Sequence, residues 1–269
     1  MKVSVVTLSF NQGRFLERTL LSVLEQDYDD LEYIVVDPGS TDGSRAIIER
    51  YADRLAHVLL ERDEGPAEGL NRGFALATGE ICAYVNADDA LLPGAIKSAV
   101  AAFDRDPSLD VAYAHGYATD ARGVPIRRLR ATRFGPQRFV FGGSLVLQQS
   151  TFFRRQSLVD VAGFNPANRT CWDAELLLDL ALSGKRIGRV DEYWSTFTMH
   201  SESISGSGRL EAEYRDDFER LFRKVMRRPR KRTDALAATA ARISRWATEP
   251  TAAACRIADA VRPPQGTLP

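Results

Sequence analysis

The segment ICAYVNADDALLPGA, residues 81–95, joins an apolar run directly to a polar and acidic cluster. Residues 81–85 have the length and composition of a buried strand. Asp88 and Asp89 follow shortly after, and adjacent carboxylates at the end of a core element repel each other unless something neutralises them. Oxygen ligands in such a cluster suit Mg²⁺ or Mn²⁺. The alternative is that Asp88 or Asp89 caps a helix that begins near Pro93.

The composition is that of a cytoplasmic globular protein. The chain has 269 residues, of which 44% are hydrophobic and 27% charged, enough for one large α/β domain with or without an appendage. Lys+Arg and Asp+Glu are balanced at 36 each, so the net charge does not indicate nucleic acid as a partner. Three scattered cysteines indicate neither a disulfide framework nor a zinc site. The sequence contains no signal-peptide pattern and no apolar stretch long enough to span a bilayer.

Strand-like and helix-like segments alternate through the first half of the chain. The strand-like segments are residues 2–8, 33–36, 57–61, 81–85 and 111–115. The helix-like segments between them are residues 15–25, 44–54, 67–78 and 93–104. This alternation predicts an α/β fold with a mostly parallel sheet covered on both faces.

Polar clusters follow the first, second and fourth of these strands. They are residues 9–11, 37–42 and 86–89. Because ligands of parallel sheets bind beyond the carboxyl ends of the strands, we expect the three clusters to form one pocket.

The cluster VVDPGSTDGS, residues 35–44, has two interpretations. It is either an ordinary strand–turn–helix junction or one wall of a nucleotide pocket in which Asp37 accepts a hydrogen bond from a base N–H. Neither P-loop nor G-x-G-x-x-G spacing is present, which disfavours phosphate-loop NTPases and Rossmann dehydrogenases.

Four blocks of the sequence resemble family 2 glycosyltransferases with the GT-A fold. The blocks are VSVVTLSFNQGRFLERTLLSVLEQDYDDLEYIVVDPGSTDGS, DEGPAEGLNRGFALATGEICAYVNADD, WDAELLLDLALSG and HSESIS, in the family's order and spacing. The resemblance covers about residues 1–205. It implies a Rossmann-like, mostly parallel sheet with helices on both faces, and inverting transfer of a sugar from a nucleotide-sugar, most often a UDP-sugar, to a glycan or lipid-linked acceptor.

The resemblance also implies a donor site with a divalent cation, Mn²⁺ or Mg²⁺. The donor-binding residues would be Thr7, Ser9, Asn11, Asp37, Ser40, Asn71, Arg72, Asn86, Ala87 and Asp88. Asp88 and His200 would hold the cation. Two positions depart from the family pattern: Asn86 stands where an aspartate is usual, and Pro38 removes a backbone N–H from the turn.

Asp173 occupies the family's general-base position, where it would take the proton of the acceptor hydroxyl. The alternative is that Asp173 caps its helix, while Glu175 either orients it or forms a salt bridge. Residues 201–205 would form a flap over the donor diphosphate, with a hinge at residues 206–208.

The acceptor side is expected around FGGSLVLQQSTFFRR, residues 141–155. Gln149 and Ser150, with Gln148, are candidates for hydrogen bonds to acceptor hydroxyls. Trp172 or Phe152 would stack on a sugar face, or the aromatic residues here belong to the core.

The chain is predicted to divide into a transferase domain, residues 1–208, and a C-terminal segment. The domain would have a donor half, residues 1–118, and an acceptor half, residues 119–208. Residues 209–232 predict an amphipathic helix with a basic end, and residues 233–269 a further helix and a disordered tail. The amphipathic helix either packs on the domain or rests on an anionic membrane at the cytoplasmic face.

Two other functions remain open from the sequence. A non-catalytic sugar-nucleotide-binding partner of another transferase is compatible with Asn86 and Pro38. A sugar nucleotidyltransferase would need a Gly-rich, Arg-bearing N-terminal loop, which TLSFNQGRF, residues 7–15, does not supply.

Overall fold

The computed structural model describes residues 1–203 and 210–261. The strands of this part of the chain are β1 (Val3–Leu8), β2 (Leu31–Val36), β3 (His57–Leu59), β4 (Ile81–Asn86), β5 (Ala90–Leu91), β6 (Val111–Thr119), β7 (Pro125–Leu129), β8 (Thr151–Arg154) and β9 (Ile187–Thr198). The helices are α1 (Gly13–Leu24), α2 (Ser44–Arg50), α3 (Pro66–Leu76), α4 (Ala95–Arg105), α5 (Pro136–Val140), α6 (Arg155–Asp160), α7 (Trp172–Leu182), α8 (Glu211–Met226), α9 (Asp234–Thr248) and α10 (Pro250–Val261).

All nine strands form one sheet, in the order β3-β2-β1-β4-β8-β6-β9-β5, with β7 paired to β6. The first four are parallel, as the alternating sequence predicts. Beyond β4 the sheet is mixed, because β8 runs antiparallel to both β4 and β6 while β6 and β9 are parallel. β9 ends two residues before His200, and β6 continues four residues past the predicted end at His115.

Alternate residues of the parallel strands build one core on each face of the sheet. Val3, Val5 and Tyr33 face α1 and α4, whereas Val6 and Ile34 face α3 and α7. The α3 helix approaches β1 closely because it carries glycine at position 73: a Cβ there would lie 2.7 Å from a methyl carbon of Val6. The α/β fold with helices on both faces is thus confirmed.

The register of the parallel strands brings the polar clusters together. Leu8 of β1 is paired with Val36 of β2 on one side and with Asn86 of β4 on the other. The residues that follow these three positions therefore lie at the same edge of the sheet, as expected.

The C-terminal helices pack on the domain. Leu221 and Phe222 of α8 are fully buried against α5 and α7. On α10, Asp259 accepts hydrogen bonds from the backbone N–H and guanidinium of Arg128. Residues 234–261 thus form two helices rather than one, and the tail predicted to be disordered lies outside the described residues from 262 onward.

Among residues 1–203 and 210–261, no helix is long and apolar enough to cross a membrane.

Candidate active site

Asp37 lies at the carboxyl end of β2, and one of its carboxylate oxygens accepts three hydrogen bonds. Its Oδ1 accepts hydrogen bonds from the backbone N–H groups of Gly39 and Ser40, at 3.1 and 2.8 Å, and from Nε of Arg45 at 3.3 Å. Because the turn uses the N–H groups of residues 39 and 40, the missing N–H of Pro38 does not weaken it.

Two buried oxygen atoms at this position remain unpaired. Oδ2 of Asp37 and Oγ of Ser9 have no hydrogen-bond partner among the described residues. A buried polar atom without a partner costs stability, so the pair marks a place where a ligand completes the hydrogen bonding.

Asn11 and Ser40 hold the turn that forms this wall. The Asn11 side chain accepts the N–H of Thr41 at 2.8 Å, and Oγ of Ser40 accepts the N–H of Asn11 at the same distance. The carboxylate of Asp42 accepts the N–H of Gly13 at 2.7 Å. Gly43, with φ of 95°, gives the chain the left-handed conformation that starts α2.

The side chains of Asp88 and His200 are in contact at this edge of the sheet. Nε2 of His200 lies 2.9 Å from Oδ2 of Asp88, and Nε2 of Gln12 donates to the same oxygen at 3.1 Å. The imidazole is packed on the ring of Phe15, and its Nδ1 is buried with no described partner. The structure therefore brings together the two residues predicted to hold a cation.

The helix-cap interpretation of the acidic pair is wrong. The α4 helix is preceded by Gly94 and has no side-chain cap. Asp89 instead accepts the backbone N–H of Thr198 at 2.9 Å and is only 2% exposed. Burial, together with the neighbouring charge of Asp88, holds the pKa of Asp89 well above its usual range. Ala87 between Asn86 and Asp88 is fully buried.

Arg18 on α1 is a further residue of this site that the sequence did not indicate. One guanidinium nitrogen donates to the carbonyl of Asp88 at 3.2 Å and to the hydroxyl of Thr198 at 2.8 Å. It therefore links the acidic loop to the end of β9, two residues before His200.

The Asp88–His200 pair fits one divalent cation with other ligands. Oδ2 and Nε2 lie at ordinary hydrogen-bond distance from each other, and a carboxylate oxygen and an imidazole nitrogen are both atoms that can ligate a metal ion. In the part of the chain that the structure describes, no group of three or more His, Cys, Asp or Glu forms a complete site. The pair thus suits an ion that shares its coordination with phosphate oxygens.

Asp173 lies in the first turn of α7 and lines a cavity that is open on one side. The N-cap position of α7 belongs to Cys171, so Asp173 does not cap the helix. Burial raises the pKa of Asp173, although backbone N–H groups of the first turn oppose this. A carboxylate with a raised pKa is a stronger base.

Gln148 connects this cavity to the acidic loop. It lines the cavity, donates to the carbonyl of Tyr84 at 2.6 Å, and accepts from Nδ2 of Asn86 at 3.4 Å. Asn86 is thus hydrogen-bonded to a side chain that lines the same cavity as Asp173.

Glu175 is a salt-bridge partner. The carboxylate is 1% exposed and accepts from Lys224 at 2.7 Å, Arg220 at 3.1 Å and Asn168 at 2.8 Å. Burial alone would raise its pKa, but Lys224 and the asparagine amides bring the pKa below its usual value. Glu175 thus joins α7 to α8.

Three predicted donor residues have their polar groups engaged within the protein. The hydroxyl of Thr7 lies 2.8 Å from that of Tyr33 in the core. Asn71 binds both the N–H and the carbonyl of Phe164, at 2.8 Å each. Arg72 donates to the carbonyls of residues 61 and 62. In this conformation these residues shape the loops around the pocket.

The predicted acceptor residues are mostly buried. Ser150 is fully buried and donates to the carbonyl of His115. Gln149 and Trp172 are 5% and 7% exposed, and Nε2 of the first and Nε1 of the second have no partner within the described residues. Phe152 is fully buried against Trp194, as the core interpretation expects. The residue of this segment that lines the cavity is Gln148.

Part of the predicted flap falls outside the described chain. Residues 201–203 follow His200 as a turn, and Oγ of Ser203 donates to the carbonyl of His200 at 3.0 Å. Residues 204–208, which complete the flap and the hinge, are not among those described.

The chain belongs to glycosyl transferase family 2. The family model matches residues 4–162. The fold is that of GT-A glycosyltransferases.

A relative from Nostoc sp. (strain PCC 7120), described as an uncharacterised glycosyltransferase, is 30% identical over 215 residues. The match covers 74% of this chain but 65% of the relative, so the chain spans less than two thirds of that protein's length. Among solved structures, S. aureus TarS 1–349 in complex with UDP-GlcNAc has a TM-score of 0.68 at 23% identity, covering 92% of this chain and 73% of that one. The mannosyltransferase PcManGT from Pyrobaculum calidifontis, in complex with GDP-Man and Mn²⁺, has a TM-score of 0.64 at 22% identity. The match covers 100% of this chain and 76% of that one.

Proposed function

We propose that this protein is an inverting glycosyltransferase that moves a sugar from a nucleoside-diphosphate sugar, a UDP-sugar, to a hydroxyl of a glycan or lipid-linked acceptor. The observation that carries the proposal is the 2.9 Å pairing of Asp88 with His200 at the sheet edge that also holds the unpaired atoms of Asp37 and Ser9. Structures of the same fold contain UDP-GlcNAc or GDP-Man, which agrees with a nucleotide-sugar in this one.

The donor would lie along the edge of the sheet. Oδ2 of Asp37 accepts a ring N–H of the base, since it is the free oxygen of a carboxylate whose other oxygen is already saturated. Asp88 and His200 would hold Mn²⁺ or Mg²⁺, and the ion would supply positive charge to the leaving diphosphate, which would then need no proton from a general acid.

Asp173 removes the acceptor's proton. As the acceptor oxygen forms its bond to the anomeric carbon, Asp173 takes the hydroxyl proton, and the bond from that carbon to the diphosphate oxygen breaks on the opposite side. The configuration inverts because attack and departure occur on opposite faces. Burial favours this step by raising the pKa of Asp173.

Asp173→Asn tests the assignment. The amide keeps the shape but cannot accept the proton, so we expect transfer to fall about 10²–10⁴-fold while donor affinity is retained. Asp88→Ala should lower donor affinity in the presence of Mn²⁺. Asp104→Asn, an exposed carboxylate on α4, is the control and should keep full activity.

Full transfer by Asp173→Asn would contradict the mechanism. A second function, a non-catalytic sugar-nucleotide-binding partner, agrees with an amide at position 86 and would be indicated if the native protein bound donor but neither transferred nor hydrolysed it with Mn²⁺.

A further inference from the structure

The cavity beside Asp173 is largely apolar. Its floor is formed by buried side chains of the sheet and of α7, namely Tyr84, Phe153, Leu176, Leu177 and Leu180. At its mouth lie Phe139, Val146 and Ala174, which are half-buried. An apolar group that enters the cavity would remove the exposed parts of these mouth residues from water, which is favourable.

The polar side chains that line this cavity are Tyr84, Gln148, Thr151 and Asp173. Tyr84 and Asp173 both line the cavity, and the hydroxyl of Tyr84 is buried. Burial, and after it the charge of Asp173, raises the pKa of Tyr84 well above its usual range, while the indole N–H of Trp172 opposes this rise. An acceptor hydroxyl that enters the cavity would have the carboxylate of Asp173 as a hydrogen-bond acceptor.

We propose that this cavity binds the apolar part of the acceptor, so that the reacting hydroxyl belongs to an amphiphile whose hydrocarbon lies within a few bonds of it. The inference rests on the proposed function, since it takes Asp173 as the base. The acceptor class is an alkyl, acyl or polyprenyl compound rather than the interior of a hydrophilic polysaccharide, because most of the lining offers no side-chain hydrogen bonds to a second sugar. The apolar lining residues are Phe139, Val146, Phe153, Ala174, Leu176, Leu177 and Leu180, against Gln148 and Thr151 as the polar ones besides Tyr84 and Asp173.

A binding experiment tests the cavity without catalysis. The full chain, with labelled leucine and valine methyl groups, is titrated with 1-butanol, 1-hexanol and 1-octanol and followed by NMR. We expect the signals of Leu176, Leu177, Leu180 and Val146 to shift, and the dissociation constant to fall about three- to four-fold for each added methylene.

Ala174→Leu fills the mouth of the cavity and should weaken 1-octanol binding at least ten-fold. Ala181→Leu on the same helix, whose side chain does not line the cavity, is the matched control and should bind like the native protein. The remaining methyl signals report whether each variant is folded. Equal binding by native protein and Ala174→Leu, or no dependence on chain length, would overturn the inference.

Transfer assays separate this inference from the proposed function. With a donor that the native protein uses, an octyl glycoside below its critical micelle concentration should have a much lower KM than the methyl glycoside, and Ala174→Leu should abolish the difference. Equal KM values for both would overturn the inference and leave the transferase function standing. Transfer to no acceptor at all would contradict the proposed function, while the alkanol titration would still decide whether the cavity binds hydrocarbon.

Discussion

At the scale of single residues, environment separates the roles of the carboxylates at this edge. Asp37 has one oxygen saturated and one free, Asp88 faces an imidazole, and Asp89 binds a backbone N–H in the interior. Asp173 is half-buried beside a largely apolar cavity, and the partial loss of water around its carboxylate raises its pKa. We therefore propose different roles for side chains of one type: base recognition for Asp37, cation binding for Asp88, structure for Asp89 and proton transfer for Asp173.

The pH dependence of transfer follows from the raised pKa of Asp173. The base acts only when ionised, so kcat/KM should rise with pH through this pKa. As the pH is lowered, the loss of activity should begin at a higher pH than for an unperturbed aspartate, whose pKa is about 3.9. The measurement is a pH profile of kcat/KM on the native protein.

Asp89→Asn controls for the other buried acid with a raised pKa, since the amide oxygen still accepts the N–H of Thr198. The acid limb should stay where it is in this variant. If the acid limb of the pH profile moved in Asp89→Asn, the titrating carboxylate would be Asp89, and the assignment to Asp173 would be wrong.

Sequence reasoning located the acidic residues and His200 but missed the other partners of Asp88. Asp37, Asp88 and Asp173 each adjoin an apolar segment, so the pattern indicates where they lie. Gln12 and Arg18 carry no comparable signal, because their contacts with Asp88 join residues about 70 or more positions apart. Asn71 was expected at the donor, yet its amide is engaged by the backbone of Phe164, a contact that spacing does not reveal.

At the scale of elements, α7 is fixed by its neighbours on the side away from the cavity. Glu175 is surrounded by Lys224 and Arg220 of α8 and by the amides of Asn165 and Asn168. These contacts hold the helix that carries Asp173, so α8 supports the site without touching it. In the sequence, Lys224 and Arg220 belong to a helix predicted to be amphipathic, and charged residues in such a helix are expected to face water. The sequence therefore did not indicate that they bind Glu175.

Glu175→Gln should lower the free energy of unfolding by about 1–3 kcal/mol, because the amide cannot neutralise Lys224 and Arg220. Urea denaturation at pH 7 measures this difference in the free energy of unfolding between the variant and the native protein. The pKa of Glu175 is lowered in the folded state, so its contribution is present at neutral pH and is lost as the pH falls through that pKa.

Glu213→Gln on α8 is the matched control, since this glutamate is exposed, and it should change stability by less than about 0.5 kcal/mol. If the two variants were equally stable at pH 7, the ion pairs around Glu175 would not support α7.

The sheet itself was predictable only in part. Four parallel strands follow from short apolar runs separated by helical periodicity, and their register explains why the polar clusters meet. The mixed half could not be derived in this way, because β8 and β9 pair with strands that precede them by many residues and β9 is mostly half-buried or exposed. A strand without a continuous apolar run gives a weak signal.

At the scale of the whole molecule, α9 presents an unusual surface. Leu236 and Ile243 are 75% and 63% exposed and lie seven residues apart, on one side of the helix. The exposed side chains of Arg227, Lys231 and Arg232 precede this helix. Apolar residues beside basic ones are typical of helices that contact anionic membranes, and we propose such a peripheral contact here.

Sedimentation with vesicles tests the membrane contact. The full chain should sediment with vesicles rich in anionic lipid, less with neutral vesicles, and less as salt increases. Leu236→Glu combined with Ile243→Glu should reduce the bound fraction, whereas Leu182→Glu, at another exposed leucine, should not. Binding that does not depend on anionic lipid would remove the membrane proposal.

The central claim is that Asp88 and His200 hold a divalent cation that binds the donor diphosphate, and a crystal structure with UDP and Mn²⁺ tests it most directly. The account predicts the ion bound to Oδ2 of Asp88 and Nε2 of His200, each at about 2.1 Å, with the base against Oδ2 of Asp37. A nucleotide bound elsewhere, or an ion that contacts neither Asp88 nor His200, would contradict it.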